Sequence, residues 1–195
     1  MSDLEPIRLL ILDESQNRAE ELIILLRNAG RATRAHKIES EDDLINRLKE
    51  QPWDLFLSRW EADGITADQA IQHIRNLERD IPVIMLADSR DPSLITEGLQ
   101  QGAQDVALAD DNERLKLIIA RELNNLQQRR TRRRAEAELR ESDKRNQLLL
   151  ESSSAAIAYV HEGMHIYANN AYGDLFGYDD PDDFAGIPKI GRAHV

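Results

Sequence analysis

Two acidic residues, Asp13 and Glu14, follow directly on the apolar run Ile7–Leu12 (IRLLIL). Adjacent carboxylates at the mouth of a buried strand present hard oxygen ligands, suited to a divalent cation such as Mg²⁺. Beside an arginine the same pair makes an internal ion pair instead. A second apolar run, Leu55–Leu57, delivers that arginine: it leads into Ser58, Arg59 and Trp60. Arg59 is no nucleophile, because its guanidinium stays protonated, and it would repel a metal. The reading taken here is therefore that Arg59 points into the acidic pocket or replaces its metal, with a nitrogen within about 4 Å of Asp13 or Glu14. Phosphoryl transfer to a side chain needs a nucleophile, a divalent cation and donors for the moving oxygens. Asp63 and Ser58 are the alternative acceptors nearby. Asp54 starts its strand and so falls on the wrong side of a sheet.

Other polar groups point to chemistry less directly. The run Arg129–Arg134 holds five arginines around Thr131, a grip for nucleic-acid or lipid phosphate. With acidic neighbours and no interleaved aromatic for base stacking, it reads as a solvated helix face. Five histidines are scattered at 36, 73, 161, 165 and 194. His161 and His165 flank a turn but lack the third ligand a metal site requires, so none is expected. Trp53 reads as core, and Trp60, one residue past a strand end, as a surface anchor for a partner. Tyr167, Tyr172, Phe176 and Tyr178 read as the core of a second domain. No cysteine is present, which removes disulfides, thiolate sites and cysteine nucleophiles.

The positioning elements follow from the apolar pattern. Short apolar runs at Ile7–Leu12, Leu55–Ser58 and Ile81–Ala87 read as strands buried on both faces, with weaker strands at Thr33–Ile38 and Asp105–Leu108. Between them lie helices, each with its punctuation: Ser15 before a helix that Gly30 ends, Ser40 before one that Pro52 closes, Thr66-Ala-Asp-Gln69 as a capping box, and Asp91-Pro92 as N-cap and N1 of a helix ending at Gly102. Strictly alternating βα units imply a parallel sheet with helices on both faces, whose functional groups gather at the carboxyl ends of the strands.

From Asn112 to Glu151 no glycine or proline intervenes, so one helix of roughly 40 residues is expected. Leu115, Ile119, Leu123 and Leu126, with Ala135 and Leu139 after the arginine block, have coiled-coil-like spacing, which predicts parallel self-association. After Ser152-Ser153-Ser154 the pattern changes to two strands around Glu162-Gly163 and a short helix ending near Gly177. Ala156, Ile157, Tyr159 and Ile166 are expected on a sheet face left open, with poor protection.

Charge is uneven. Residues 1–111 hold 12 basic and 23 acidic residues, residues 112–151 hold 11 and 7, and residues 152–195 hold 2 and 6. The first part therefore repels nucleic acid and anionic membranes. The acidic start, MSDLEPIRLL, is no signal peptide, and no apolar run approaches the roughly 18 residues of a membrane span. A cytoplasmic location is expected.

The first 110 residues resemble response-regulator receiver domains, through LLILDESQN (9–17), IPVIMLADSRD (81–91) and GAQDVAL (102–108). Gly163, Ile166, Asn169, Ala171 and LFGY (175–178) resemble the start of a PAS domain. The whole string is similar to the N-terminal part of FimX-type proteins, in which a degenerate receiver and a PAS domain precede cyclase-like and EAL-like modules that sense cyclic di-GMP and control type IV pili. The resemblance implies a flavodoxin-like five-stranded parallel sheet with helices on both faces, a long connecting helix, and then part of an α+β PAS domain. It also implies a receiver site: an acid pair after the first strand, a phospho-accepting aspartate after the third, a Thr or Ser after the fourth and a lysine after the fifth. Asp13 and Glu14 match the pair. The acceptor position falls on Arg59, or on Ser58 if the register slips by one, the hydroxyl on Ala87 and the lysine on Ala109, with Asp110 where a proline is expected.

These readings give a degenerate receiver over 1–111, a helical linker over 112–151, the N-terminal part of a PAS domain over 152–189, and a non-native tail over 190–195, since IGRAHV translates a common sequencing-adapter string. The expected function is a non-enzymatic signal-transduction module of the two-component type. It needs no cofactor and no metal, docks protein partners of a signalling or pilus complex, dimerises in the full-length protein, and binds neither nucleic acid nor membrane. The rivals are a phosphorylated regulator using Asp63 or Ser58 and a phosphate-binding adaptor acting through residues 129–134.

Overall fold

The chain is described here by a computed structural model covering residues 6–177. The described residues form two compact units, 6–131 and 132–177.

In the first unit, β1 (Ile7–Leu12) is buried at every position except Arg8. Asp13 and Glu14 lead into α1 (Gln16–Asn28), whose N-cap Ser15 accepts a hydrogen bond from the Arg18 amide. Then come β2 (Thr33–Lys37) and α2 (Glu41–Glu50), which opens on Glu41, Asp42 and Asp43 behind its Ser40 cap. Three carboxylates in the first turn suit the positive end of the helix dipole. β3 (Leu55–Ser58) is wholly buried. A two-residue pair follows, β4 (Glu61–Ala62) and β5 (Ile65–Thr66), joined at Asp63-Gly64. Both turn residues have positive φ, 51° and 76°, as a tight primed turn requires. α3 (Ala67–Asn76) starts from the complete capping box of Thr66 and Gln69. β6 (Val83–Ala87), α4 (Pro92–Gln101), β7 (Asp105–Leu108) and α5 (Asn112–Glu151) complete the order.

Five strands make one parallel sheet in the order β2-β1-β3-β6-β7. Alternate residues of each strand face opposite ways, so β1 sends Leu10 and Leu12 to one core and Leu9 and Ile11 to the other. The first core lies under α2 and α3 with Leu44, Phe56, Ile71 and Ile74. The second lies under α1 and α5 with Leu22, Leu26, Leu55, Leu57, Leu115 and Ile119. Burial of each such side chain stabilises the fold by about 1.5–3 kcal/mol.

Here the coiled-coil expectation is corrected in its first half. Leu115, Ile119 and Leu126 are buried, and Leu123 packs beside them, against this unit's own sheet. Their spacing is that of any helix face buried on a sheet, and these side chains are not free for a second chain.

In the second unit, every α5 residue through Leu150 is exposed, including Leu139, Leu148 and Leu149. β8 (Ala158–His161) and β9 (Met164–Ala168) pair antiparallel around Glu162-Gly163, both at positive φ, and α6 (Asn170–Phe176) follows. Tyr159 and Ile166 face outward, 57% and 54% exposed. Fully buried Asn169 ties this unit together. Its amide donates to the carbonyls of Leu150, Ser153 and Ala155, and its carbonyl accepts from the amides of Ile157 and Tyr172. Phe176 is 56% exposed rather than core, and Tyr178 lies outside the described residues. Among the described residues no helix is long and apolar enough to cross a membrane.

One glycine in the first unit is set by contact. A Cβ on Gly98, in α4, would lie 2.6 Å from Val106 Cγ2 and 3.3 Å from Met85 Sδ. Alanine is the better helix former by about 1 kcal/mol, but overpacking a stiff β-branched neighbour costs about 1–3 kcal/mol. Gly98→Ala is therefore expected to lower the urea-unfolding free energy by about 1 kcal/mol. Val106→Ala should cost less in the Gly98→Ala background than alone, because the two sites share one space. A stabilised Gly98→Ala protein would contradict the contact.

Candidate functional site

The carboxyl ends of β1, β3, β6 and β7 converge at one edge of the sheet. Asp13 directly follows β1 and is 3% exposed. Its Oδ1 accepts the Ser15 amide at 2.8 Å, and its Oδ2 is buried without a hydrogen-bond partner. Glu14 is exposed on the loop that follows. Arg59 comes directly after β3, its amide bonded to Leu12 O at 2.9 Å. Ala87 closes β6 and is 4% exposed. Ala109 follows β7, held by its amide on Ala87 O at 2.9 Å. The fold thus brings all five expected residues to one edge.

The partner of Arg59 differs from the expectation. Its guanidinium grips Asp88, the residue after β6, through both nitrogens: Nη1 meets Oδ1 at 2.7 Å and Nη2 meets Oδ2. It makes no hydrogen bond or ion pair with Asp13 or Glu14, which act on it only at longer range. The reason lies in access. Asp13 is sunk in the edge with one oxygen already used by Ser15, whereas the Asp88 side chain is 63% exposed and can present both oxygens in plane to the planar fork. Reaching Asp13 would bury the guanidinium further, at a desolvation cost that one free oxygen does not offset. Arg18 of α1 also touches Asp88, at 3.4 Å, so two arginines converge on one carboxylate. Arg59 is held even more firmly protonated than usual, first by its bonds to Asp88. Asp88 is held below the usual carboxylate range by Arg59, against slight burial.

Asp88 and Arg18 were missed from the sequence. The LADSRD string placed Asp88 at a strand end, but only the β3–β6 adjacency, a tertiary fact, sets it beside Arg59.

The edge does not fit a divalent cation. The acid pair supplies one buried and one exposed carboxylate, the third position carries a guanidinium, and no group of three or more His, Asp or Glu able to hold a metal exists among the described residues. Two carboxylates beside a fixed positive charge bind a second cation poorly.

The alternative acceptors are placed unfavourably. Ser58 is fully buried and its hydroxyl donates to Arg59 O at 2.7 Å. Asp63 sits in the β4–β5 turn, paired with Lys37 at 2.8 Å. Trp53 is core, as expected, and its Nε1 donates to Arg47 O at 2.8 Å. Trp60 is half-buried beneath α4, against Met85, Ala87, Ala103 and Val106, so it is not the surface anchor its position implied. His36 pairs with Asp43 and His73 with Glu41. His165 meets the Tyr172 hydroxyl at 3.1 Å, while His161 is exposed; His194 lies outside the described residues.

The arginine run departs from a solvated face. Arg129 grips Asp80: its Nη2 and Nε both donate to Oδ1, at 2.8 and 3.0 Å, and Nε also lies 3.3 Å from Oδ2. Arg130 reaches Asp54 Oδ1 at 2.6 Å and Trp53 O at 2.8 Å. Asp54, at the opposite edge of the sheet, also takes both a bidentate pair and the backbone amide of Arg8. Burial raises its pKa, but these bonds outweigh that and hold it below its usual value. Arg132 stays on the surface with Glu136.

No protein-family profile matches the chain. The chain is 34% identical over 100 residues to the phosphate regulon transcriptional regulatory protein PhoB of Escherichia coli K12, an alignment covering 50% of this chain and 42% of that protein. The chain therefore spans less than half the length of that relative. The receiver domain of the Francisella response regulator 1452 superposes with a TM-score of 0.53 at 14% identity, over 61% of this chain and 98% of that one. The receiver domain of a Pseudomonas aeruginosa sensor histidine kinase, with magnesium coordinated in its active-site cleft, gives 0.51 at 17% identity, over 61% and 98%. The first unit has the receiver fold of response regulators.

The Arg59–Asp88 pair predicts a measurable titration. Asp88 has a depressed folded pKa, so its charge stabilises the fold above the unfolded value of about 3.9, and that contribution is lost as pH falls through the folded value. Exposure and screening limit the pair to within about 1 kcal/mol. In carboxyl ¹³C NMR, Asp88 should titrate below free aspartate, and Arg59→Gln should move its midpoint upward. A midpoint indifferent to Arg59→Gln would show that the pair does not persist in solution.

Proposed function

We propose that the first unit is a pseudo-receiver, a non-enzymatic signalling platform built on a fold whose phosphoryl site is closed by its own salt bridge. The carrying observation is the bidentate Arg59–Asp88 pair at the position where an active receiver holds its acceptor aspartate. A guanidinium offers no lone pair to phosphorus and opposes the cation that would neutralise the incoming phosphoryl group. Ala87 and Ala109 supply neither the hydroxyl nor the ammonium that would bind its oxygens. The unit then has one charge state, and its signal comes from what it binds. We extend the reading to a cytoplasmic protein in which this platform docks protein partners or dimerises and is joined through α5 to a PAS-type sensor. In that reading it acts upstream of cyclic-di-GMP modules that control type IV pili or motility. The resemblance in the sequence supports that extension, and the hairpin and Asn169 of the second unit are compatible with it. A phosphoryl acceptor elsewhere gains no support from a fully buried Ser58 or a Lys37-paired Asp63. An adaptor role for the arginine run is weakened by the engagement of Arg129 and Arg130.

The test is phosphorylation by a small donor. Incubated with acetyl phosphate and Mg²⁺, the protein should keep its intact mass. Arg59→Asp combined with Ala109→Lys should gain one acid-stable, base-labile phosphoryl group. A parent protein that already takes phosphate would overturn the pseudo-receiver reading.

A further inference from the structure

Leu126 is the last buried apolar residue of α5 within the first unit. Gln127, Gln128 and Thr131, on the next turn, are exposed, yet Arg129 and Arg130 are half-buried. Arg129 holds Asp80, which lies on the loop between α3 and β6. Arg130 holds Asp54 and the Trp53 carbonyl at the start of β3. Asp54 is shared with Arg8 at the start of β1. This cluster sits at the amino edge of the sheet, opposite Arg59 and Asp88.

The attachment of α5 therefore changes character along its length. Up to Leu126 it is mainly apolar, through Leu115, Ile118, Ile119 and Leu126, with one exposed ion pair from Arg121 to Asp105 at 2.6 Å. Past Leu126 it is ionic, made by two adjacent arginines on two separate carboxylates. Partly buried, hydrogen-bonded ion pairs are stronger than exposed ones, but they remain open to screening and to competing anions in a way apolar packing is not.

We infer that residues 127–131 form an electrostatic latch, which can open and free the helix from the sheet while residues 112–126 remain docked. Closed, it holds the turn that carries Arg129 and Arg130. Open, it leaves α5 held only to Leu126. The difference is about one helical turn, roughly 6 Å of helix. Such a device gives a unit whose carboxyl edge is fixed a second, adjustable edge. Anything presenting carboxylates or phosphates to Arg129 and Arg130 shifts it toward open. The inference does not depend on whether Arg59 silences the phosphoryl site.

Hydrogen exchange on the full chain tests it. At low salt, amides of 127–131 should exchange at least about tenfold more slowly than those of 133–148, where every residue is exposed. In 1 M NaCl, and at low salt in Asp80→Asn and in Arg129→Gln with Arg130→Gln, that advantage should vanish while 115–126 stays protected. Asp80→Asn lies outside the helix, so it removes a partner without altering helix propensity. Equal exchange in 127–131 and 133–148 for the parent at low salt would overturn the latch. So would loss of protection across 115–131 as a block, or no response to any of these changes.

Discussion

Burial of the sheet on both faces governs the rest of this structure. The central strands β1, β3 and β6 carry almost nothing but apolar side chains, each face sealed by helices. A polar group within such a strand would be stripped of water without a partner. Polar chemistry is therefore confined to the two ends of the strands. At the carboxyl edge lie Asp13, Arg59 and Asp88. At the amino edge lie Arg8, Asp54, Asp80, Arg129 and Arg130. Ser58, the fully buried last residue of β3, donates its hydroxyl to the Arg59 carbonyl, which is what a buried hydroxyl must do.

At the carboxyl edge a single residue decides what chemistry is possible. A half-buried guanidinium needs a carboxylate within reach, or its desolvation is uncompensated. Acids flank Arg59 on both neighbouring strands, and geometry selects the one that can meet the fork in plane. The result leaves Asp13 with a buried, unbonded oxygen beside a positive charge. That arrangement favours permanence over exchange, since neither partner of the Arg59–Asp88 pair changes charge near neutral pH.

How far the sequence disclosed this differs by level. The parallel sheet, its five strands and most helix ends were legible, because caps such as Ser15, Ser40, Thr66 and Asp91 act within three residues of themselves. Asp13, Glu14, Arg59, Ala87 and Ala109 were legible as a set, because strand ends in alternating βα units must share an edge. Their pairing was not. Asp13, Glu14 and Asp88 are equally acidic in the sequence, and only exposure and the β3–β6 register distinguish them. The short β4–β5 pair went unseen because two-residue strands carry no period. The long helix misled for a related reason: the spacing of Leu115, Ile119, Leu123 and Leu126 is identical whether the partner is another helix or the domain's own sheet.

That ambiguity bears on what α5 does. Its first half spends its apolar face inside the first unit, and its exposed stretch has mostly charged side chains with Leu139 and Leu148 to Leu150. Any association through the exposed stretch therefore rests on few apolar contacts and on many charges, several already paired along the helix as Arg132–Glu136 and Glu141–Arg145. Pairs of that kind, exposed to water and salt, contribute little. Between the two halves stand Arg129 and Arg130, bound to the sheet rather than to solvent. The arginine block is thus less a gap in a coiled-coil seam than the boundary where the attachment of α5 to the first unit turns from mainly apolar to ionic.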